Sequence, residues 1–542
     1  MIVDVRRLPV SGPIDVDICI VGGGVAGITL AREFGRAGLQ ACVIEGGGHT
    51  ASWASQSLYC GENTGLPYDL VGTRSRFLGG SSNCWGGWCR PMAAIDFEHR
   101  PWVADSGWPF PVEALDDAYA RARDVLQLGQ LPYDPDFWIS RLQPDLAQAL
   151  PLASDAIETV IAQFSPPTRL GIVYREELEQ AASIRVLLHA NAVAVATDEF
   201  GQRATGVRVL RPDGSPVFVQ ARQVILAAGG IENARLLLLS RDRQPAGLGN
   251  GHGLVGRYFM EHPRIHMGRA VLRDPYRLHL FQDVVHSYHN PRLAIGGTSA
   301  SAYFGLSDQA QRAEGLLQCR TYLIPSYPED DLRAVNYARR IRAALYHWSG
   351  AAAPGTIRAA LARIPTQARA LLRQGRLLSS TPSHFGFHSV LEPAPDAESR
   401  VTLADTRDRF GCPQARVHWR VGTLEYRTHL RMLGALKQAI ETAGVGTVEF
   451  DDAMPEDKWR EGLAWCWHHM GTTRMHPNPR QGVVDADGRV HGMHNLYIAG
   501  SSVFPTGGHD MPTLTIAALA LRLADHVKVR ATQAPVIVDR AA

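Results

Sequence analysis

The chain has 542 residues, 45% of them hydrophobic and 20% charged, and Lys+Arg 55 against Asp+Glu 53 leaves a formal charge of only +2. That length exceeds one ordinary core, so at least two domains are expected. With no basic stripe and no block of five or six like charges, a nucleic-acid partner is set aside.

The eight cysteines are sparse and none forms a Cys-x-x-Cys pair, so neither a zinc site nor a redox dithiol is expected, and the reduced cytoplasm is the expected compartment. The N-terminus lacks a cationic start followed by an apolar run. The longest apolar stretch, residues 514–521, is too short to span a bilayer, so no transmembrane segment is expected.

In chain order, residues 16–21 read as a short buried strand that runs into Gly22-Gly23-Gly24-Val25-Ala26-Gly27 and opens a helix over 28–38. In this strand, turn and helix Gly22 permits the tight turn, Gly24 lets backbone approach a pyrophosphate, and Gly27 lets helix and strand pack closely. A second strand, 40–44, ends at Glu45, where a carboxylate can bind ribose hydroxyls. The whole unit predicts dinucleotide binding. Residues 74–88 are dense in glycine and serine, with Trp85 and Trp88 as walls for a flat ligand. Residues 109–129 look helical.

Strands are predicted at 185–188, 192–196 and 204–210, with a turn at Glu199-Phe200-Gly201. Another buried strand then breaks at Ala227-Ala228-Gly229-Gly230 into a helix over 234–240. The nucleotide-binding half is thus interrupted and resumed. From about 265 to 465 strand-like patches at 269–272 and 316–323 alternate with turns, a pattern of a mainly antiparallel sheet. An Ala-, Leu- and Arg-rich helical insertion is expected at 330–377, a hairpin at 396–411 and an amphipathic helix at 421–443.

These pieces resemble the glucose-methanol-choline (GMC) family of FAD oxidoreductases over nearly the whole chain. The resemblance rests on Val21 to Gly27 with Glu45, Gly79-Gly80-Ser81-Ser82 with Trp85-Gly86, Ala227 to Gly230, and Gly256-Arg257 with His262-Pro263. Ser399 to Leu403, His468-His469-Met470-Gly471-Thr472-Thr473-Arg474-Met475 and Gly500 to Arg522 complete the set. Within the family the chain looks most like the bacterial branch near pyranose oxidase and sugar dehydrogenases. The implied fold is α/β (α+β overall), with a Rossmann-like FAD-binding domain discontinuous in sequence and a substrate domain built on a mainly antiparallel sheet plus helices. The expected division is 1–264 for FAD, with a flavin-contacting loop at 74–90 and a helical excursion over about 100–180. Residues 265–465 are expected to hold the substrate, and 466–542 to return to the FAD domain.

The resemblance implies oxidation of a CH–OH group of a sugar, aminosugar, glycoside or cyclitol by hydride transfer to flavin N5, with oxygen or an electron carrier as the acceptor. A neutral imidazole suits the hydroxyl proton, and the family pattern places that base at His468. His469 is assigned to substrate binding. Pro512, read as the first residue of a helix over 512–527, puts a helix N-terminus near the negative charge of reduced flavin. Met511 departs from the Asn or His usual before this Pro-Thr, so His509 is read as the second catalytic group and Met511 as a contact to both flavin and substrate.

Cys84 stands where similar sequences carry His, in some members bonded to the flavin. Noncovalent FAD is expected, with a Cys84 linkage as the alternative. The FAD contacts assigned are Gly22, Gly24, Gly27, Glu45, Arg76, Gly79, Gly80, Ser81, Asn83, Cys84, Trp85, Val193, Ala228, Gly500, Ser501, Met511, Pro512 and Thr513. The alternative functions are a redox-silent FAD-containing lyase of the same fold and a noncatalytic flavoprotein subunit. An NAD-dependent dehydrogenase explains Gly22 to Gly27 but neither Gly79 to Gly87 nor the C-terminal histidines.

Overall fold

Residues 18–21, Ile-Cys-Ile-Val, are apolar on both faces, which suits a parallel strand covered from both sides. They are buried in the middle of an eight-stranded sheet in the computed structural model, which describes residues 1–9, 12–142, 150, 152, 154–273, 280–281, 294–326 and 382–533. The strand order is Ile2–Asp4, Ile184–Leu188, Ala41–Ile44, Ile14–Val21, Pro216–Leu226, Ala204–Leu210 and Asn191–Thr197. The first five run parallel and the last two add an antiparallel meander. Pro216–Leu226 is long enough to serve two partners on the edge opposite Ile14–Val21. Its first half pairs with the meander, and residues 224–226 pair in parallel with Leu496–Ile498, which returns from the C-terminal part of the chain.

Helix Thr513–Gln533 packs on both Val25–Arg36 and Asp116–Val125. Arg121 ties all three, at 2.8 Å from Glu33 and 2.6 Å from Asp525. The last helix starts at Thr513 rather than Pro512, because Pro512 offers its carbonyl to the Ile516 amide and so precedes the first helical residue.

A second eight-stranded sheet is antiparallel at every pairing: Gly446–Glu449, Arg264–Leu272, His384–Leu391, Cys319–Ser326, Thr298–Leu306, Ile157–Phe164 and Trp88–Cys89, with Ala294–Ile295 beside Thr298–Leu306. Helix Thr423–Thr442 packs against it through Met432, Leu433, Leu436 and Ile440. The strand Ile157–Phe164 falls inside the span read from sequence as a helical excursion. That span holds the helices Asp116–Val125, Pro135–Arg141, Leu170–Val173 and Arg175–Gln180, but β-branched Ile157, Thr159, Val160 and Ile161 fit a pleated surface. There they pair in unbroken register with Thr298–Leu306. The expected hairpin is Arg400–Arg407 with Pro413–His418, joined in parallel by Gly61–Asn63. The helical insertion expected at 330–377 lies outside the described residues, among which no helix is long and apolar enough to cross a membrane.

Candidate active site

A cavity of about 440 Å³ runs from the glycine turn of the parallel sheet to the face of the antiparallel sheet. At the first end the three glycines do different work. Gly22 has φ +110°, and a Cβ there would meet the Ala227 carbonyl oxygen at 2.5 Å. A Cβ on Gly27 would stand 1.9 Å from the Gly22 oxygen, whereas one on Gly24 would have only Gly80 Cα near it, at 3.9 Å. Gly22 and Gly27 therefore serve the backbone, and Gly24 keeps space open on the cavity.

Gly24 caps helix Val25–Arg36 with no side-chain hydrogen bond, so the first helical amides face the cavity uncapped. Glu45 is buried, with Oε2 accepting from the Gly23 amide at 3.0 Å and Oε1 from the Gly47 amide at 2.7 Å. Lone pairs remain on both oxygens for ribose hydroxyls. Arg76 lines the same end, held by Asn191 Oδ1 at 3.0 Å, and its Nε is buried without a partner among the described residues. An added Cβ at Gly229 or Gly500 would meet nothing within 4 Å. This open glycine cradle, uncapped helix end and orphaned guanidinium nitrogen fit FAD.

The loop over the cradle is set by Gly79, whose φ is +102° and whose amide donates to the Gly23 carbonyl at 2.8 Å. Asn83 Nδ2 closes the loop on the Leu78 and Gly80 carbonyls, both at 3.0 Å. Gly80, Ser81, Cys84 and Trp85 consequently reach the cavity wall, as do Gly500, Ser501, Met511, Pro512 and Thr513 from the opposite side. The Cys84 thiol accepts from Ser75 Oγ at 3.4 Å.

Facing the cradle, the stretch around His468 is pinned to a second segment. Met260 and Met470 exchange both backbone hydrogen bonds, at 3.0 and 2.9 Å. Glu261, fully buried, accepts from the amides of Cys466 and His468 at 3.0 Å and from Tyr68 OH at 2.8 Å. Between those amides Trp467 takes φ +68°, a left-handed conformation that costs a bulky residue roughly 1–2 kcal/mol. The two hydrogen bonds to Glu261 hold it there.

The proton on His468 is fixed by its neighbours. His262 Nε2 lies 2.7 Å from the Gly508 carbonyl, which can only accept, so that nitrogen carries the hydrogen. Burial and then Arg320 push the His262 pKa down to about 3, so its Nδ1 is bare. His468 Nδ1 lies 2.8 Å from it and must donate. His468 Nε2 is then a lone-pair acceptor, with no partner among the described residues. Burial first, and then His262 and Arg320, hold the His468 pKa well below the ordinary histidine value, so the imidazole stays neutral. His469 also lines the cavity, but its Nε2 meets Tyr68 OH and its ring stacks on Phe259 at 6.1 Å.

The far wall is the antiparallel sheet. Arg264 and Arg320 both pair with Val390 in register, so the three side chains share one row on one face. The next row holds Tyr322 opposite His388. All five residues line the cavity together with Trp465 and Trp467. His509 is buried off this wall, 3.9 Å from Asp510, and neither ring nitrogen has a hydrogen bond among the described residues. Burial lowers its pKa to about 4, with Asp510 opposing. Its carbonyl accepts from Arg320 Nη1, which also lies 2.8 Å from Met511 Sδ.

Most of the residues expected at the site therefore converge on one cavity: Gly22, Gly24, Glu45, Arg76, Gly80, Ser81, Cys84, Trp85, Ala228, His468, His469, Gly500, Ser501, Met511, Pro512 and Thr513. Gly27, Gly79, Asn83, Val193 and His509 lie behind its surface and shape it through backbone or packing. Sequence reasoning missed Glu261, Arg264 and Arg320. It quoted His262 only as part of a motif, although Glu261-His262-Pro263-Arg264 places three of these residues within one short segment.

A family model described as FAD dependent oxidoreductase matches residues 17–380, and one described as GMC oxidoreductase matches residues 395–520. The chain is 27% identical to the fructose dehydrogenase large subunit of Gluconobacter japonicus over 66% of its own length and 56% of that protein's. It is 24% identical to the 6'''-hydroxyparomomycin C oxidase of Streptomyces lividus over 97% of its length and 93% of that protein's. It is 27% identical to the 2-methyl-1,2-propanediol dehydrogenase of Mycolicibacterium austroafricanum over 58% of its length. The chain spans about half the length of the first and third of these relatives. Its fold is shared by a solved formate oxidase of Aspergillus oryzae RIB40, with a TM-score of 0.56, 19% identity and coverage of 96% and 99% of the two chains. Taken with the glycine cradle and the facing histidine, these matches make the chain a member of the GMC family of FAD-dependent oxidoreductases.

Proposed function

We propose that the protein oxidises a CH–OH group of a sugar, aminosugar, glycoside or cyclitol, with His468 as the general base. The observation that carries this reading is the imidazole of His468, held neutral with Nε2 bare between the cradle and a polar wall. FAD, when bound, supplies the acceptor for the hydride leaving the hydroxyl-bearing carbon. His468 Nε2 takes the hydroxyl proton, and the imidazolium formed keeps its Nδ1–H on His262. Glu261 resists movement of the ring by holding the backbone at His468. The N-terminus of helix Thr513–Gln533 favours negative charge at the cavity edge.

Substrate class is supported by the wall. Arg264 Nε, Arg320 Nε and His388 Nε2 are buried without partners among the described residues, and a ligand bearing several oxygens would satisfy them. Trp465 and Trp467 offer flat faces for the C–H side of a sugar ring. Two relatives carry names of sugar or aminoglycoside oxidation, which agrees with this chemistry. The same proposal takes residues 1–264 and 466–542 as the FAD domain, except that strands Trp88–Cys89 and Ile157–Phe164 join the sheet of the substrate domain, 265–465 as the rest of the substrate domain, FAD held noncovalently beside Cys84, and oxygen or an electron carrier as acceptor. A reducing cytoplasm is the compartment taken with this reading, from the sparse cysteines of the sequence.

The test is an anaerobic visible spectrum of the holoenzyme during titration with sugars, glycosides, aminosugars and cyclitols, followed by admission of air. Bleaching of the oxidised-flavin band by one compound is expected, and the speed of its return in air separates an oxidase from a dehydrogenase. A stable flavin spectrum that no hydroxyl compound bleaches would remove the oxidoreductase reading. Acid precipitation checks the linkage: flavin is expected in the supernatant, and flavin left on the pellet would assign it to Cys84.

A further inference from the structure

Among the described residues, the substrate end of the cavity carries more positive charge than the neighbouring carboxylates neutralise. Arg264 and Arg320 flank Val390 in one row of the antiparallel sheet and project from the same face. Their strands stand about 10 Å apart, two strand spacings, which two arginine side chains can close from either side. Both guanidiniums act electrostatically on His468, His388 and Cys466, so both reach the same region.

Their counter-charges are few. Arg320 lies 4.0 Å from Asp510, but that carboxylate also accepts from Arg90 at 3.0 Å and from Tyr303 at 2.6 Å, so one anion is shared by two cations. Arg264 has no side-chain hydrogen bond or ion pair among the described residues, and its Nε is buried. The carboxylates on the cavity wall, Glu45 and Glu232, are at the nucleotide end and already engaged, Glu45 by two amides and Glu232 by Arg74 and Arg235. A desolvated guanidinium without an anion is unfavourable, and a planar fork of donors is matched best by a carboxylate.

Building on the alcohol-oxidising reading of this cavity, we propose that the substrate is an anionic polyol, a sugar acid whose carboxylate docks between Arg264 and Arg320 while one of its hydroxyls meets His468 Nε2. Arg264 is then the residue that selects for charge. Arg320 contributes the second cation while it holds the His509 carbonyl and Met511 in place. A sugar phosphate shares the anionic chemistry but needs more donors around a tetrahedral group than these two side chains present.

The experiment uses holoenzyme at low ionic strength and reads binding separately from turnover. Glucuronate, gluconate, glucose and glucose 6-phosphate are titrated into the oxidised protein, followed by calorimetry and by the shift of the flavin band. Glucuronate or gluconate is expected to bind at least roughly 10-fold tighter than glucose, the lower range for a charge-assisted pair. Arg264→Gln is expected to reduce that preference by about 10-fold. Arg264→Lys, which keeps the charge without the fork, is expected to restore part of it, and an unchanged flavin spectrum reports that both variants are folded.

Equal affinities for glucuronate, gluconate and glucose, or a preference that survives Arg264→Gln, would overturn the proposal. A sugar phosphate favoured over both sugar acids would overturn the carboxylate assignment. The two readings fail differently: a carboxylate that binds through Arg264 and never bleaches the flavin sinks alcohol oxidation alone. Neutral sugars that bleach it while acids bind no better sink the anion site alone.

Discussion

At the scale of single residues, the reactive nitrogen is decided two residues away from the chemistry. A carbonyl at Gly508 fixes the proton on His262, and His262 fixes the proton on His468. Gly508 can offer that carbonyl because it adopts φ +55°, and a Cβ there would lie 2.6 Å from Asp96 Oδ2. His468→Ala is expected to lower anaerobic flavin reduction by roughly 10²-fold or more, as loss of a general base requires. A near-wild-type rate would remove His468 from the mechanism. His262→Leu leaves the His468 Nδ1 hydrogen without an acceptor and frees the ring to change tautomer. Its expected mark is a drop of about 10-fold in the reduction rate with FAD content retained, a modest share of the general-base term.

The pH dependence follows from direction alone. Because burial and nearby cations hold the His468 pKa well below the ordinary 6.5, the base is already deprotonated at pH 6.5. Titration of His468 itself should therefore leave the reduction rate unchanged from pH 8 down through 6.5, where Glu261 is the neighbouring group that takes up a proton, and should lower it only at lower pH. A titration of the ring centred near 6.5 would show that it is not buried as described. Histidine at this position was legible from the sequence pattern, but its tautomer was not, because the atoms that set it come from residues 262 and 508.

At the scale of elements, the glycine turn was the most legible part of the chain, since its constraints act between residues a few positions apart. Its two outer roles can be separated experimentally. Gly27→Ala forces a Cβ to 1.9 Å from backbone oxygen, and loss of soluble folded protein is expected. Gly24→Ala meets only Gly80 Cα at 3.9 Å, so a folded protein with weakened FAD retention is expected, measured as flavin content after gel filtration. Full flavin occupancy in Gly24→Ala would show that the open space at Gly24 is not part of the cradle. The strand Ile157–Phe164 was less legible because its partner, Thr298–Leu306, is more than a hundred residues away. Arg264 and Arg320 were invisible for the same reason. Arg264 has a local mark only in its position two residues after His262 and Arg320 has none, and only the shared partner Val390 brings them into one row.

At the scale of the whole molecule, the buried titratable groups oppose one another in acid. Burial lowers His262, His429 and His469 to about 3, His509 to about 4 and His388 to about 2, against an ordinary value of 6.5. The fold refuses protons that the unfolded chain accepts below 6.5, so each of these histidines costs stability as pH falls through that value. Glu261 and Glu425 act in the other sense: burial raises both to about 7, so the fold holds a proton between 4.5 and 7 that the unfolded chain releases. Their contribution is complete at low pH and is lost as pH rises through 7. The histidines outnumber the glutamates, so the thermal midpoint of the FAD-saturated protein should fall between pH 7 and pH 5. His429 isolates one such contribution, because its shift comes from burial alone and its Nδ1 accepts from Trp459 Nε1 at 2.9 Å, a bond that an asparagine oxygen can replace. Each histidine of this kind carries up to about 1.4 kcal/mol per pH unit below its unfolded pKa. His429→Asn should therefore lose less of its thermal midpoint than wild type over the same acid step, with FAD held saturating. An identical fall in both proteins would mean that His429 is protonated in the fold and that its surroundings are wetter than its complete burial implies.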